Sequence, residues 1–305
     1  MVSRWYPIPI VGKASLVLLI CASAMLGAVG TAVGEDLSRG AGPIVPASQW
    51  RLSFTPYGWL PFLVGDTTVR GRTVAIDVDP IQVIDHLERA PWMSYAEARN
   101  GPIAFYNDIF YANLGLTADG VRSRSVHPQI GGTLSTALGL DFEELVVEVG
   151  AAYEIARWPS GAGSSTAIDI LGGARYWHQE MSINLALSAN LETGDLVLSH
   201  GIAITRGGSV DWVDPLVGAR IRHQLAPGQE LMLRGDIGGF GAGSELSWNV
   251  LAAYSFEICA QDGVTFSGLL GYRALDVDYE QGSGRTKYEY DVLQHGPLTG
   301  LTVAF

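Results

Sequence analysis

The chain has 305 residues, 48% of them hydrophobic, and a formal net charge of −12. Such an acidic chain lacks the basic face that nucleic acids and anionic lipid surfaces require, so no nucleic-acid partner is expected. Only two cysteines occur, Cys21 near the N-terminus and Cys259, which argues against a cysteine-based metal centre. No metal site and no cofactor are expected from the sequence.

The N-terminus has the three parts of a secretory signal. Arg4 and Lys13 are the only charged residues before Glu35, an apolar run covers 14–29, and small residues follow over 30–34. The apolar run is short for a membrane-spanning helix, which needs about 20 residues. We therefore predict a cleaved Sec-type signal peptide over 1–34, a periplasmic N-terminal segment over 35–49 and a folded domain over 50–305.

Alternation of apolar and polar residues dominates the remainder. Between Glu245 and Ile258, for example, one face carries Leu246, Trp248 and Val250, while the other carries polar or small residues apart from Leu251. A short helix is expected near 79–88. Alternating stretches predict twelve strands, over 50–61, 92–99, 103–114, 124–138, 144–155, 167–177, 182–191, 213–225, 230–240, 245–258, 264–275 and 292–305.

The length of these strands favours a membrane barrel over a soluble secreted β-sandwich. Soluble strands average about 5–6 residues, whereas tilted membrane strands need about 9–11. Aromatic residues such as Tyr153, Trp248 and Tyr272 lie near the ends of the apolar faces, where an interfacial girdle is expected. The sequence therefore predicts an antiparallel up-and-down transmembrane β-barrel in the outer membrane of a Gram-negative cell.

The lengths of the connections give a strand count. Periplasmic turns of such barrels are short, so we expect the short connections at 100–101, 139–141, 178–180, 226–229 and 261–263 to lie in the periplasm. Longer connections cover 62–90, 115–123, 158–166, 192–211, 241–244 and 278–290. This assignment predicts about twelve strands with both mature termini in the periplasm, and leaves ten or fourteen open.

The chain ends in an apolar strand face made of Leu301, Val303 and the terminal Phe305. A terminal strand of this kind is expected to close the barrel by pairing with the strand that starts near Trp50. We interpret the three residues as an assembly signal read by the barrel-assembly machinery. Outer-membrane lipid is the other expected partner, and the oligomeric state stays open.

Several segments of the later half are familiar, namely 212–220, 235–241, 271–275 and 296–301. Together with Tyr57-Gly58-Trp59 they resemble a group of generically named proteobacterial outer-membrane β-barrel proteins of unsettled function. The resemblance covers most of the mature chain. It implies a barrel fold and an outer-membrane location, and it supplies no catalytic residues.

Charged residues occupy the faces opposite the apolar ones, where a barrel has its lumen. They form either a structural arginine–carboxylate network or the lining of a polar pore. We expect the carboxylates Asp214, Asp236 and Glu257 to face four arginines of neighbouring strands, namely Arg220, Arg222, Arg234 and Arg273. The predicted lumen residues are Glu97, Arg99, Asp108, Glu144, Glu148, Asp169, Arg175, Asp214, Arg220, Arg222, Arg234, Asp236, Glu257 and Arg273.

The leading functional hypothesis is a non-enzymatic barrel with a structural role or a passive, porin-like role for small polar solutes. One alternative is a closed barrel with a binding or structural role. Another is an outer-membrane enzyme at the extracellular rim, whose only support is the proximity in sequence of Asp195, Ser199 and His200.

Overall fold

The computed structural model describes residues 50–305 except 70, 128–129, 162 and 194–195; the side chains of 72, 74, 116–140, 161 and 183–206 are also outside the description. The predicted signal peptide and the segment over 35–49 therefore lie outside the described residues. No helix among the described residues is long and apolar enough to span a membrane.

Twelve strands and one short α-helix make up the described chain. The strands are β1 Arg51–Trp59, β2 Phe62–Val69, β3 Arg72–Val78, β4 Trp92–Asn100, β5 Ile103–His127, β6 Ile130–Gly161, β7 Ser164–Thr193, β8 Leu196–Ala226, β9 Gln229–Gly239, β10 Leu246–Gln261, β11 Val264–Gln281 and β12 Tyr288–Ala304. The helix α1 covers Pro80–Asp85, and a 3-10 turn covers Gly284–Thr286.

The strands form one antiparallel sheet that closes on itself. Strands β1 and β4 to β12 follow one another around a ten-stranded barrel, and the β2–β3 hairpin is added to β12. The predicted up-and-down barrel with about twelve strands is thereby confirmed. Ten of the twelve strands close the ring, and two extend it at one end.

Closure takes place between the first and the last strand, as expected from the C-terminal sequence. Ser53 pairs with Ala304, and Leu52 and Phe305 exchange two backbone hydrogen bonds of 2.9 Å. We call the end of the barrel that carries these residues the terminal end, and the opposite end the loop end.

Four tight turns at the terminal end are marked by glycines with positive φ, a conformation that side chains with a Cβ rarely adopt. These glycines are Gly101, Gly163, Gly228 and Gly263. The predicted turns at 100–101, 226–229 and 261–263 are confirmed. The predicted long loop over 158–166 was wrong, because β6 ends at Gly161 and β7 begins at Ser164.

Two predicted turns, at 139–141 and 178–180, lie inside strands β6 and β7. The predicted loops over 115–123 and 192–211 were also wrong, since most of both segments is strand. At these points the outward face changes from apolar to polar: on β7, Ile170 and Tyr176 are followed by His178 and Glu180. The break in the apolar alternation at these two points therefore marks a change in the outward-facing residues of a continuous strand. It does not mark a turn of the chain.

At the loop end the wall between β12 and β5 is built differently. The C-terminal part of β12, from Leu298 to Ala304, pairs with β1. The N-terminal part, from Tyr288 to His295, pairs with β2 instead. Helix α1 follows the hairpin and is capped by Asp79, whose Oδ1 accepts hydrogen bonds from two backbone amides. The chain then hydrogen-bonds to β5, where the amide of Gly115 donates to the carbonyl of His86 at 2.8 Å.

The barrel is inverted relative to a soluble protein. Val217 and Leu270 are each 53% exposed on the outer surface, whereas Arg175 and Asp214 inside are 0% exposed. Charged side chains are almost never buried unless they are paired, and broad exposed apolar surfaces mark contact with another apolar phase. The outer band of large apolar residues therefore has the character of a lipid-contacting surface.

Candidate functional site

The interior nearest the terminal end is filled by a balanced set of ionic side chains, which we call the charged layer. Its members project inward from β4 to β9 and β11, and each takes part in at least one ion pair. They are Arg99, Arg175, Arg220, Arg222, Arg234 and Arg273 with Glu97, Asp108, Glu148, Glu154, Asp169 and Asp236.

The centre of the charged layer is a square of two arginines and two carboxylates. Arg175 of β7 lies 2.7 Å from Glu148 and 2.6 Å from Asp236. Arg234 of β9 pairs with the same two carboxylates. Because all four side chains are nearly fully buried, each charge depends on the others for compensation.

A second group lies closer to the terminal end, around the buried Asp169. Its carboxylate accepts hydrogen bonds from Arg99 at 3.2 Å, Arg220 at 2.9 Å and Arg222 at 3.0 Å. Arg220 also donates to Glu97 at 2.6 Å. Since Arg220 belongs to β8 and Glu97 to β4, this bond crosses the bore of the barrel.

The third group joins β11 to β5 across the bore. Arg273 donates to Asp108 at 2.9 Å, and the Tyr57 hydroxyl donates to the other oxygen of Asp108 at 2.7 Å. Arg273 also donates to Asn249, whose amide donates in turn to Asp236 at 2.9 Å. Asn249 therefore connects the third group to the central square.

Towards the loop end the interior changes to a second layer, made of rings, which we call the aromatic layer. Trp212 and Tyr279 stack with ring centroids 3.9 Å apart, and Trp177 stacks on Trp212 at 5.3 Å. The members of the aromatic layer are Trp59, Phe110, Trp177, Trp212, Tyr279 and Tyr290, all 6% exposed or less.

Asp214 lies at the boundary of the two layers and was expected to face an arginine. Instead it accepts hydrogen bonds from the indole Nε1 of Trp177 at 3.1 Å and from Ser244, whose amide and hydroxyl lie 2.7 and 2.8 Å away. Arg175, its partner in the sheet register, turns to the central square instead. Asp214 therefore fixes the position of the rings.

Glu144, like Asp214, is a deeply buried carboxylate that takes part in none of the ion pairs among the described residues. It is 2% exposed and accepts hydrogen bonds from the side-chain amides of Gln179 and Gln294, at 2.8 and 2.9 Å. The Tyr288 hydroxyl donates to Gln179 at 2.9 Å. Tyr288 on β12 and Gln179 on β7 stand five strands apart in the ring of ten, so this bond spans the full diameter.

Glu257 does not join the charged layer. It lies exposed near the end of β10, beside the turn that contains Gly228. Its position at the rim leaves it in contact with water, which removes the need for an arginine partner. Of the four arginines expected to face Asp214, Asp236 and Glu257, only Arg234 does so directly, through Asp236.

Several interior residues were missed from the sequence. On β4, β5, β7 and β8 an inward aromatic residue stands two positions from a charged one, as in Asp108 and Phe110, or Arg175 and Trp177. Residues two apart share a strand face, so this spacing places both inside. Gly150, an inward position, leaves room for Tyr106, whose hydroxyl would meet a Cβ at that point.

The closing strand has the orientation expected from its alternation. Leu301 and Phe305 are 42% and 57% exposed on the outer surface. Thr302 faces inward and hydrogen-bonds to Thr55 of β1 at 2.8 Å. Val303 shares the outward face, so the three residues of the expected assembly signal form one apolar edge.

An apolar pocket of about 110 Å³ lies in the wall at the loop end. It is bounded by the end of β1, by α1 and by the first residues of β4, above the point at which β1 and β4 cease to pair. Trp59, Val83, Met93 and Phe110 line it, and Glu144 lies at its inner side.

The residues behind the enzyme hypothesis lie outside the described residues, namely Asp195 and the side chains of Ser199 and His200. Within the described part of the chain, no group of three or more His, Cys, Asp or Glu side chains is arranged to hold a metal ion.

No protein-family model matches the sequence, and no curated protein matches it significantly. Among solved structures the chain is similar to a FadL homologue of Pseudomonas aeruginosa, at 7% identity and TM-score 0.24, covering 84% of this chain and 89% of that chain. It is also similar to the toluene transporter TodX of Pseudomonas putida (9%, TM-score 0.19, 84% and 88%) and to OpdL of Pseudomonas aeruginosa (12%, TM-score 0.19, 84% and 98%). TM-scores this low support no functional inference, so function is argued from the geometry of this chain.

Proposed function

We propose that the protein is an outer-membrane β-barrel that is closed at rest, with a binding or structural role in the cell envelope. The inverted distribution of residues supports the membrane location. Transmembrane strands have an outward apolar band and a polar interior, and such a surface is stable only against lipid. On β6 the outward apolar face extends from Leu145 to Ile155, about the 9–11 residues that a tilted membrane strand needs.

The proposal that the bore is closed rests on side-chain contacts that cross it. In the charged layer, Arg220 reaches Glu97 and Arg273 reaches Asp108. In the loop half, Tyr288 meets Gln179 across the diameter. A water-filled pore requires these bonds to break, and the buried charges would then have to find other partners or water.

Export and assembly are part of the same proposal. A Sec-type signal peptide over 1–34 would deliver the chain to the periplasm. The exposed apolar edge of Leu301, Val303 and Phe305 would then present the last strand to the barrel-assembly machinery. The backbone hydrogen bonds between Leu52 and Phe305 support a role for this strand in the final closing step.

Passive passage of small polar solutes is the second candidate. The observation that favours it is the charged layer itself, which offers hydration sites for a polar solute once the side chains move apart. Six arginines balance six carboxylates in this layer. A pore lined in this way would select weakly between anions and cations.

Liposome swelling distinguishes the two candidates. Purified full-length mature protein would be refolded into liposomes, and folding checked by heat-modifiable migration on a gel. For a barrel closed at rest, we expect swelling in arabinose or glycine to match that of protein-free liposomes. Swelling at a rate that rises with protein content would favour the passive pore. Recovery of the protein without detergent in the soluble periplasm would overturn the membrane location.

A further inference from the structure

The apolar pocket and the carboxylate at its inner side belong together. Glu144 is 2% exposed, and among the described residues it has no arginine or lysine within ion-pair distance. The remaining deeply buried interior carboxylates either pair with arginines or, like Asp214, accept several hydrogen bonds from indole, hydroxyl and amide groups. Glu144 is thus a buried carboxyl group whose hydrogen bonds come from neutral side-chain amides.

The surrounding hydrogen bonds fix Glu144 in the accepting role. The Gln179 and Gln294 amide groups both donate to it, and the Gln179 carbonyl is occupied by the Tyr288 hydroxyl. A carboxylate has about four acceptor positions, and the bonds to Gln179 and Gln294 leave capacity for another donor. A cationic donor at that position would stabilise the ionised form of the Glu144 carboxyl group by pairing with it.

The rest of the pocket is apolar and aromatic. Trp59, Phe110 and Phe142 line it together with Val83 and Met93. Aromatic faces attract cations, and apolar walls favour the hydrocarbon part of a ligand. The volume of about 110 Å³ is smaller than an engineered apolar cavity of about 150 Å³ that binds benzene, so the pocket has room for a ligand of about four heavy atoms.

We propose that this pocket binds a small hydrophobic amine, with the ammonium group donating to Glu144 and the hydrocarbon part packed between Trp59, Phe110 and Val83. The position of the pocket in the wall, where β1 and β4 no longer pair, places it next to the outer band of apolar residues. An amphiphilic amine partitions to that depth of a lipid layer.

The test uses the full mature chain in nanodiscs and two probes of equal size, n-propylamine and 1-propanol, at a pH at which the amine is protonated. Saturation-transfer NMR would measure the dissociation constant of each probe. We expect the wild-type protein to bind the amine at least tenfold more tightly than the alcohol. Equal affinity for the two probes would overturn the proposal, and this readout needs no variant.

Two variants separate the carboxylate from the pocket. Glu144→Gln keeps the shape and should weaken amine binding at least tenfold while changing alcohol binding less than twofold. Val83→Phe fills the pocket from α1 and should weaken both probes. Unchanged amine affinity in folded Glu144→Gln, or unchanged affinity of both probes in folded Val83→Phe, would overturn the proposal. Neither outcome bears on liposome swelling, which tests the closed barrel separately.

Discussion

In the terminal half of the barrel the bore is occupied by arginines and carboxylates, whereas in the loop half it is occupied by stacked indole and phenol rings. The charged layer depends on exact charge balance, because every cation there compensates a buried anion. The aromatic layer depends on shape and on apolar burial. Removal of one side chain from the charged layer should therefore lower the free energy of unfolding more than a conservative substitution in the aromatic layer does.

The largest effect is expected from a buried arginine. Arg175→Met leaves Glu148 and Asp236 sharing only Arg234, and the loss of one partner from a buried ion pair costs about 3–5 kcal/mol. The free energy of unfolding in urea, measured on protein in lipid vesicles, would report it. Arg157→Met is the matched control, since its side chain is 50% exposed and its pair with Glu154 should contribute less than about 1 kcal/mol. Equal losses in both variants would contradict a charge-dependent layer.

Substitutions on the outer surface of the barrel give stability changes with which those in the two interior layers can be compared. Val250 is 42% exposed on the apolar band, and Val250→Arg should cost about 2–4 kcal/mol if the residue lies near the middle of the lipid layer. Gln261→Arg, at the exposed end of the same strand, should change the free energy of unfolding by less than about 0.5 kcal/mol. Similar values for the two variants would place Val250 in water rather than lipid.

A conservative change in the aromatic layer is expected to have a smaller effect. Trp212→Phe keeps a ring but loses part of the stack on Tyr279 and one donor to Asp214, which Ser244 and Trp177 still satisfy. A loss of about 1 kcal/mol is expected in the urea experiment. Trp158→Phe, at an exposed position, should leave stability unchanged. A loss as large as that of Arg175→Met would remove the distinction between the layers.

The smallest effect on stability is expected at the C-terminus. Phe305 is 57% exposed, so Phe305→Ala should change the free energy of unfolding by less than about 1 kcal/mol. The yield of folded barrel in cells should nevertheless fall, if the apolar edge is read during assembly. Phe266→Ala is the control, because Phe266 is an outward aromatic residue of the neighbouring strand near the same end. Equal folded yields from the two variants would count against an assembly signal.

Much of the barrel followed from alternation alone, because strand residues two apart share a face whatever the fold around them. The closing pair β1 and β12 and three of the terminal-end turns were found in this way. The turns predicted at 139–141 and 178–180 were wrong, because a strand that passes from an apolar to a polar environment changes its outward residues without reversing. Positive φ, which separates a turn glycine such as Gly228 from a strand glycine such as Gly150, is not visible in a sequence.

The charged layer was predictable as a set but not as pairs. Each arginine could be placed on the inward face of its strand, yet which carboxylate it meets depends on register and on the diameter of the ring. Arg220 meets Glu97 across the bore, although the two are far apart in sequence. The pocket next to Glu144 was not predictable, because it depends on the point at which β1 and β4 cease to pair.

The central claim, that two layers close the bore in series, is tested most directly by the current through single proteins in a planar lipid bilayer. Four proteins are compared. The first is wild type, and the second is a charged-layer variant that carries Glu97→Ser, Asp108→Ser, Arg220→Ser and Arg273→Ser. The third is a loop-half variant that carries Gln179→Ala, Trp212→Ala, Tyr279→Ala and Tyr288→Ala, and the fourth combines all of these substitutions. The charged-layer variant loses two arginines and two carboxylates, so the layer stays balanced in charge while its bonds across the bore are removed. We expect currents at the background level from the first three and discrete conductance steps from the combined variant. Steps from the wild type, or none from the combined variant once it is shown to be folded, would contradict the account.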